Sequence, residues 1–281
     1  MKFTYLKSTL FVLALVLSMT ACNNSSKSVK GTTTDGKEAS VDVEVFDAIK
    51  VKDQIVEVIQ NSPEAMDVAE MLNNAGASYI LDLTVPTENA EKFMTTTQLS
   101  LGLGMYAFDF QYANVYRRGD VISEIGKIEK QIIEKLGLEG ELTSSENYIG
   151  RIKENIGNKD SVDYLVTQAM NYCNQKFAEG NHPDIYALSV IGANVEALYV
   201  LSQLSLMAND NTQLIEILAD QKERAKTIFS LLELMSGDKS VKPYYEKMVS
   251  IYNYFEELTS FGDEELKEIS PMIEKLRNSM L

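Results

Sequence analysis

The chain contains no tryptophan and one histidine, His182. A single imidazole cannot build a multi-histidine zinc site, and Cys173 alone cannot complete one. It also leaves any serine or cysteine nucleophile without a neighbouring histidine base. No Gly-x-Ser-x-Gly motif and no glycine-rich phosphate loop occur. The two cysteines, Cys22 and Cys173, are too few for a disulfide framework. Positive charge is scarce: 26 Lys and Arg stand against 41 Asp and Glu, a net charge of −15. Such a surface repels nucleic acid and anionic lipid and favours basic partners. Strand patterning is nearly absent. Val41–Val45 alternates, but it runs straight into a helical pattern. Apolar residues still make up 45% of the chain, enough for a real core. These absences point to an all-α protein without catalytic residues, metal or cofactor.

What is present begins with an export signal. Lys2 and Lys7 flank the start of an apolar run, Leu10–Leu17. As a helix that run rises about 12 Å, well short of a bilayer core of about 30 Å. It leads to Thr20-Ala21-Cys22, an ending that resembles the lipobox of bacterial lipoproteins; Met19 stands where leucine is usual. The resemblance implies that residues 1–21 are a signal peptide and that Cys22 opens the mature chain. Cys22 would then carry a thioether-linked diacylglycerol and an N-acyl group, a palmitate-type anchor. Each buried methylene is worth about 0.8 kcal/mol, so several acyl chains together hold firmly. Residues 22–40 are small and polar, a flexible tether. Asn23, not aspartate, follows Cys22. By resemblance to lipoprotein sorting in Gram-negative bacteria, this implies the outer membrane, facing the periplasm.

From residue 41 to 281 helix signals dominate, and they define a single domain. Val45, Ile49, Val56 and Ile59 share one face of a first helix, with Lys52 in the stripe. Ser62-Pro63 reads as a cap and first helical position, and Ala75-Gly76 as a stop. Thr87 caps a helix, and a second carries the chain to Arg118-Gly119. Asp120 caps Val121–Leu136, which Gly137 ends. Further helices cover 147–156, a segment capped by Asp160 or Ser161 and ending at Gly180, and one opened by Asp184. The last three span 212–236, 244–260 and, capped by Asp263, the C-terminus. That gives about nine or ten helices in an irregular multi-helix bundle of antiparallel hairpins.

The densest stretch is Leu101–Arg118. It is apolar nearly all round, so it is expected at the centre. Gly102 and Gly104 lower helix propensity by about 1 kcal/mol each, which suits close approach of another helix. Tyr106, Asp109, Tyr112 and Tyr116 fall on one face. They form either a pocket for a cationic or polyhydroxylated ligand or a core stripe whose one acid is satisfied internally. A second apolar helix carries Glu196, for which Arg117 or Arg118 is the expected partner. Cys173 reads as a small core residue. Asn209-Asp210-Asn211 opens like a calcium loop but lacks the glycine and distal glutamate.

Gly104-Met105-Tyr106-Ala107, with Asp109, Tyr112 and Ala113 and the preceding Pro86–Ala90, resembles a segment of uncharacterised helical lipoproteins of the Bacteroidota. The likeness spans Ala75–Leu138 and implies fold and location only. The expected role is non-enzymatic: a membrane-tethered module that binds or scaffolds a protein partner. The alternatives are a small-ligand binder with a Tyr/Asp pocket and a carboxylate-dependent glycan enzyme. The anchor yields the first test. Cys22→Ala should abolish radiolabelled palmitate incorporation and move the protein from the membrane fraction to the soluble fraction. Retained label would place the anchor elsewhere.

Overall fold

Apolar stripes at helical spacing, broken by Gly, Pro and capping residues, fold here into helices joined by short turns. The computed structural model describes residues 41–142, 148–155, 157–179 and 182–281. The signal, the tether and Cys22 lie outside them, as do the side chains of Val45 and Ile49. Val41–Leu281 forms one compact unit. The described residues form twelve α-helices, in order: α1 (Val41–Gln60), α2 (Asp67–Asn74), α3 (Thr96–Val115), α4 (Gly119–Lys135), α5 (Glu139–Leu142), α6 (Tyr148–Glu154), α7 (Lys159–Glu179), α8 (Pro183–Met207), α9 (Thr212–Ala219), α10 (Lys222–Leu234), α11 (Lys242–Glu257) and α12 (Asp263–Asn278). Two 3-10 turns, Leu81–Leu83 and Thr87–Glu91, lie between α2 and α3. Among the described residues there is no strand. The fold is an all-α, irregular multi-helix bundle, with more and shorter helices than nine or ten.

The differences have local causes. Thr87 opens only a 3-10 turn. The true start of α3 is Thr95, whose hydroxyl accepts from the Gln98 amide at 3.2 Å while Gln98 Oε1 accepts from the Thr95 amide at 3.3 Å. Ser62-Pro63 does not begin α2, which opens four residues later at Asp67. Asp120 and Asp184 sit inside the first turns of α4 and α8 instead of capping them, where their charge still suits the helix dipole. Asn158 takes the place expected of Asp160 or Ser161: its Oδ1 accepts the Ser161 amide at 3.2 Å. At Asp263 the cap position falls on Gly262, whose amide is held by Glu265 Oε2 at 2.9 Å. The 212–236 segment divides into α9 and α10 because Gln221 turns inward, 4% exposed, to accept from Arg224 Nε at 2.6 Å. Among the described side chains of α1 the deepest is Ile55, joined by Val51, Val58 and Ile59 rather than by Val56.

The core is built on α3 and α8, the two helices that are apolar all round. They pack on each other more extensively than any other pair, and α8 also receives α10 and α12. The contact is backbone to backbone. A Cβ on Gly104 would lie 1.8 Å from the Ser189 carbonyl oxygen, and one on Gly192 would lie 2.0 Å from the Leu101 carbonyl oxygen. Gly102 has a different use from the one expected: it seats the Phe93 ring, which a Cβ would approach to 2.2 Å. By length and composition α8 could cross a membrane, yet 89% of its most apolar window is buried inside the unit. It is the central core helix.

Gly104→Ala should therefore cost more than ordinary overpacking of about 1–3 kcal/mol, because the clashing atoms are helix backbone. Gly140→Ala, with nothing within 4 Å of the added carbon, should be neutral or stabilise by up to about 1 kcal/mol. Urea unfolding followed by circular dichroism separates the two. Equal stability of both variants would refute the close crossing.

Candidate functional site

The polar face of α3 meets an irregular stretch of chain, residues 77–92. Tyr116 donates from its hydroxyl to the Ala77 carbonyl at 2.8 Å. Tyr112 donates to the Ser78 carbonyl at 3.2 Å and accepts from the Ile80 amide at 3.1 Å. Asp109 Oδ2 accepts from the Val85 amide at 2.8 Å, and Tyr106 donates to the Pro86 carbonyl at 2.9 Å. The four residues picked out in the sequence are thus brought together. They run along α3 as a ladder whose rungs end on backbone groups. Tyr106, Asp109 and Tyr112 are fully buried. A stretch with only two single-turn 3-10 pieces has few backbone partners of its own, so these side chains supply them.

Two other helices complete the clamp. From α4, Lys135 Nζ donates to the Ala90 carbonyl at 3.1 Å. From the last turn of α12, Arg277 Nη2 reaches the Leu83 carbonyl at 3.3 Å. The main partner of Arg277 is Glu196 on α8, gripped through Nη2 at 2.8 Å and Nε at 2.9 Å. Its guanidinium also lies over the Tyr199 ring, 4.1 Å from the centroid. This corrects the expectation for Glu196. Arg117 instead pairs with Asp163 across to α7 at 3.0 and 3.2 Å, and Arg118 stacks over Tyr79 at 4.9 Å. Nothing local in the sequence marks Arg277 as inward-facing, because a basic residue in a last turn reads as a dipole complement. Its inward direction shows only in the register of Leu266, Ile269, Ile273 and Leu276 around it.

Burial governs the electrostatics. The Asp109 carboxyl is held well above the usual carboxylate range, by burial and then by the nearby Glu196 charge; the Val85 amide and Arg277 oppose. Its Oδ1 has no partner. Burial also pushes Glu196 upward, against the pull of Arg277. Tyr112 is pushed up to about 12, chiefly by burial, and Tyr106 and Tyr116 are raised likewise. These phenols are hydrogen-bonded structural groups, not acid–base groups near neutral pH. Elsewhere, Arg224 is buried against Gln221, Asn194 Oδ1 at 2.7 Å and the Pro63 carbonyl at 3.4 Å, and burial lowers it to about 10. Cys173 is half-buried in a small satellite cluster with Leu138 and Ile185. Burial pushes its thiol up to about 12, so it is no nucleophile at neutral pH. No group of three potential metal ligands occurs among the described residues.

Comparison with known protein families, with curated proteins and with solved structures gives no significant match.

Four variants probe the clamp. A carboxyl raised on folding contributes stability that is full below the unfolded carboxylate range and is lost as pH climbs toward its folded value. Asp109→Asn keeps an acceptor for Val85 and removes the ionisation. It should leave stability near pH 5 within about 1 kcal/mol, and raise it relative to the parent as pH increases to 8. Asp109→Ala should cost roughly 2–4 kcal/mol near pH 5 and less at pH 8, because it removes the same ionisation. Arg277→Met should cost about 3–5 kcal/mol, because Glu196 is left buried and unpaired; Glu196→Gln in the same chain should recover part of the loss. Urea titrations at the two pH values check all four.

Proposed function

We propose that this protein is a non-catalytic binding module, held to the outer membrane through Cys22 with its helical unit in the periplasm, and that it recognises a protein partner. One observation carries the reading: an irregular segment is clamped by six side chains, five of them buried or half-buried, and carries exposed side chains of its own. Leu81 is 50% exposed and Met94, two residues past the segment, 80%. Asp82, Glu88 and Glu91 are exposed beside them. A loop ordered in advance loses little conformational freedom on binding. Apolar anchors set among acids suit a partner surface that is apolar with a basic rim, as the net charge of −15 also favours. The pocket reading for Tyr106, Asp109, Tyr112 and Tyr116 is disfavoured because their polar atoms hold backbone. The same use of Asp109 weighs against a glycan enzyme, which needs a solvent-facing carboxylate pair. A tether of residues 22–40 has a root-mean-square reach of roughly 20–25 Å, letting the unit search near the bilayer.

Leu81→Ser combined with Met94→Ser removes both anchors at exposed positions and should change stability by no more than about 0.5 kcal/mol each. Chemical cross-linking of the full chain in intact cells should give defined adducts with the parent and lose them in the double variant. Adducts unchanged by the double variant would overturn this reading.

A further inference from the structure

On the opposite end of α3 from its glycines, a polar cleft of about 270 Å³ opens between α2, the end of α3 and α7. This is near the lower end of ligand pockets, about 300–1,000 Å³. Its wall includes Glu70, Asn73, Gln111, Asn114, Arg117 and Asp163 over a small apolar floor from Val115 and Val166. None of these residues takes part in the clamp on 77–92.

The cleft is rich in acceptors. Arg117 Nη1 and Nη2 are both engaged by the two oxygens of Asp163, so that charge pair is internally balanced. Glu70 adds a net negative charge. Two helix C-termini, those of α2 at Asn74 and α3 at Val115, end on the cleft with the negative poles of their dipoles. Asn114 is 2% exposed, and its Nδ2 lies 3.4 Å from both Gln111 Oε1 and Asp163 Oδ1. Both neighbours are acceptors, which fixes the amide orientation and leaves Asn114 Oδ1 buried with no donor. A wall rich in acceptors, with the Glu70 carboxylate and two negative helix ends, suits an N–H-rich cation. The carboxamides of Asn73 and Gln111 offer donor and acceptor together, the pairing that vicinal hydroxyl groups match.

We propose that this cleft binds a small hydroxylated primary amine, of the size of an amino sugar, with its ammonium toward Glu70 and the helix C-termini and its hydroxyls on the carboxamides. The site stands apart from the partner-binding segment and does not depend on that reading.

Isothermal titration of the full chain near neutral pH with glucosamine, glucose and putrescine tests it. Glucosamine differs from glucose by one amine for one hydroxyl, and putrescine keeps amines without hydroxyls. Glucosamine should saturate with Kd of about 0.1–2 mM, as expected for so small a ligand, and the other two should bind at least about tenfold more weakly. Glu70 is exposed, so Glu70→Gln should fold normally; it should weaken glucosamine about tenfold and bring it level with glucose. Three results would each overturn the proposal: no saturable binding of glucosamine up to about 20 mM, glucose or putrescine binding as tightly, or an affinity unmoved by Glu70→Gln.

Discussion

Everything in this unit depends on two helices being allowed to touch at their backbones. Where α3 crosses α8, Gly104 lies against the Ser189 carbonyl and Gly192 against the Leu101 carbonyl. Any side chain at either position would push the helices apart. The closeness matters beyond packing density. It brings the polar side of α3 and Glu196 of α8 into one buried region, where Asp109 feels the Glu196 charge and Arg277 answers it. Among the described residues there is no disulfide, and the guanidinium of α12, about four turns of helix from Gly262, ties the C-terminal helix to the core.

That buried charge cluster is costly in isolation. Two carboxyls and one guanidinium leave water together, and such groups rarely out-stabilise well-packed apolar residues. Here they also do something apolar residues cannot. Carboxyl, phenol and guanidinium groups supply hydrogen bonds to a stretch of backbone that forms neither a long helix nor a strand. The same side chains that charge the interior therefore give residues 77–92 a single conformation. Buried polar networks are tolerated when nearly every member is satisfied. The two atoms that are not, Asp109 Oδ1 and the Tyr79 hydroxyl, sit within this region.

Much of this was legible in the residues themselves. The apolar length of Leu101–Arg118, its paired glycines and the shared face of Tyr106, Asp109, Tyr112 and Tyr116 mark a central helix with an internal polar stripe. Gly76 and Gly137 were readable as helix ends, and both take positive φ, at 75° and 73°. The end of α3 was not, because Arg117 occupies the same left-handed position at φ 61° where glycine is expected. What the stripe bonds to was also hidden. Its partners are backbone groups of Ala77, Ser78, Ile80, Val85 and Pro86, and backbone looks the same under any side chain. Long-range pairs such as Glu196 with Arg277 depend on how α12 returns to α8, which no local pattern states. The caps near Asp120, Asp160, Asp184 and Asp263 were displaced by a residue or two because several small polar residues compete at each helix start.

The account makes the clamped segment part of the core, ordered before any partner arrives. Native-state amide hydrogen exchange tests this directly, through the Ile80 and Val85 amides that Tyr112 and Asp109 hold. If the clamp is as described, both exchange only through global unfolding, with the same free energy and denaturant dependence as amides in the middle of α3 and α8. If residues 77–92 open independently of α3, those two amides exchange at a lower free energy with little denaturant dependence, and the segment is not a preorganised platform.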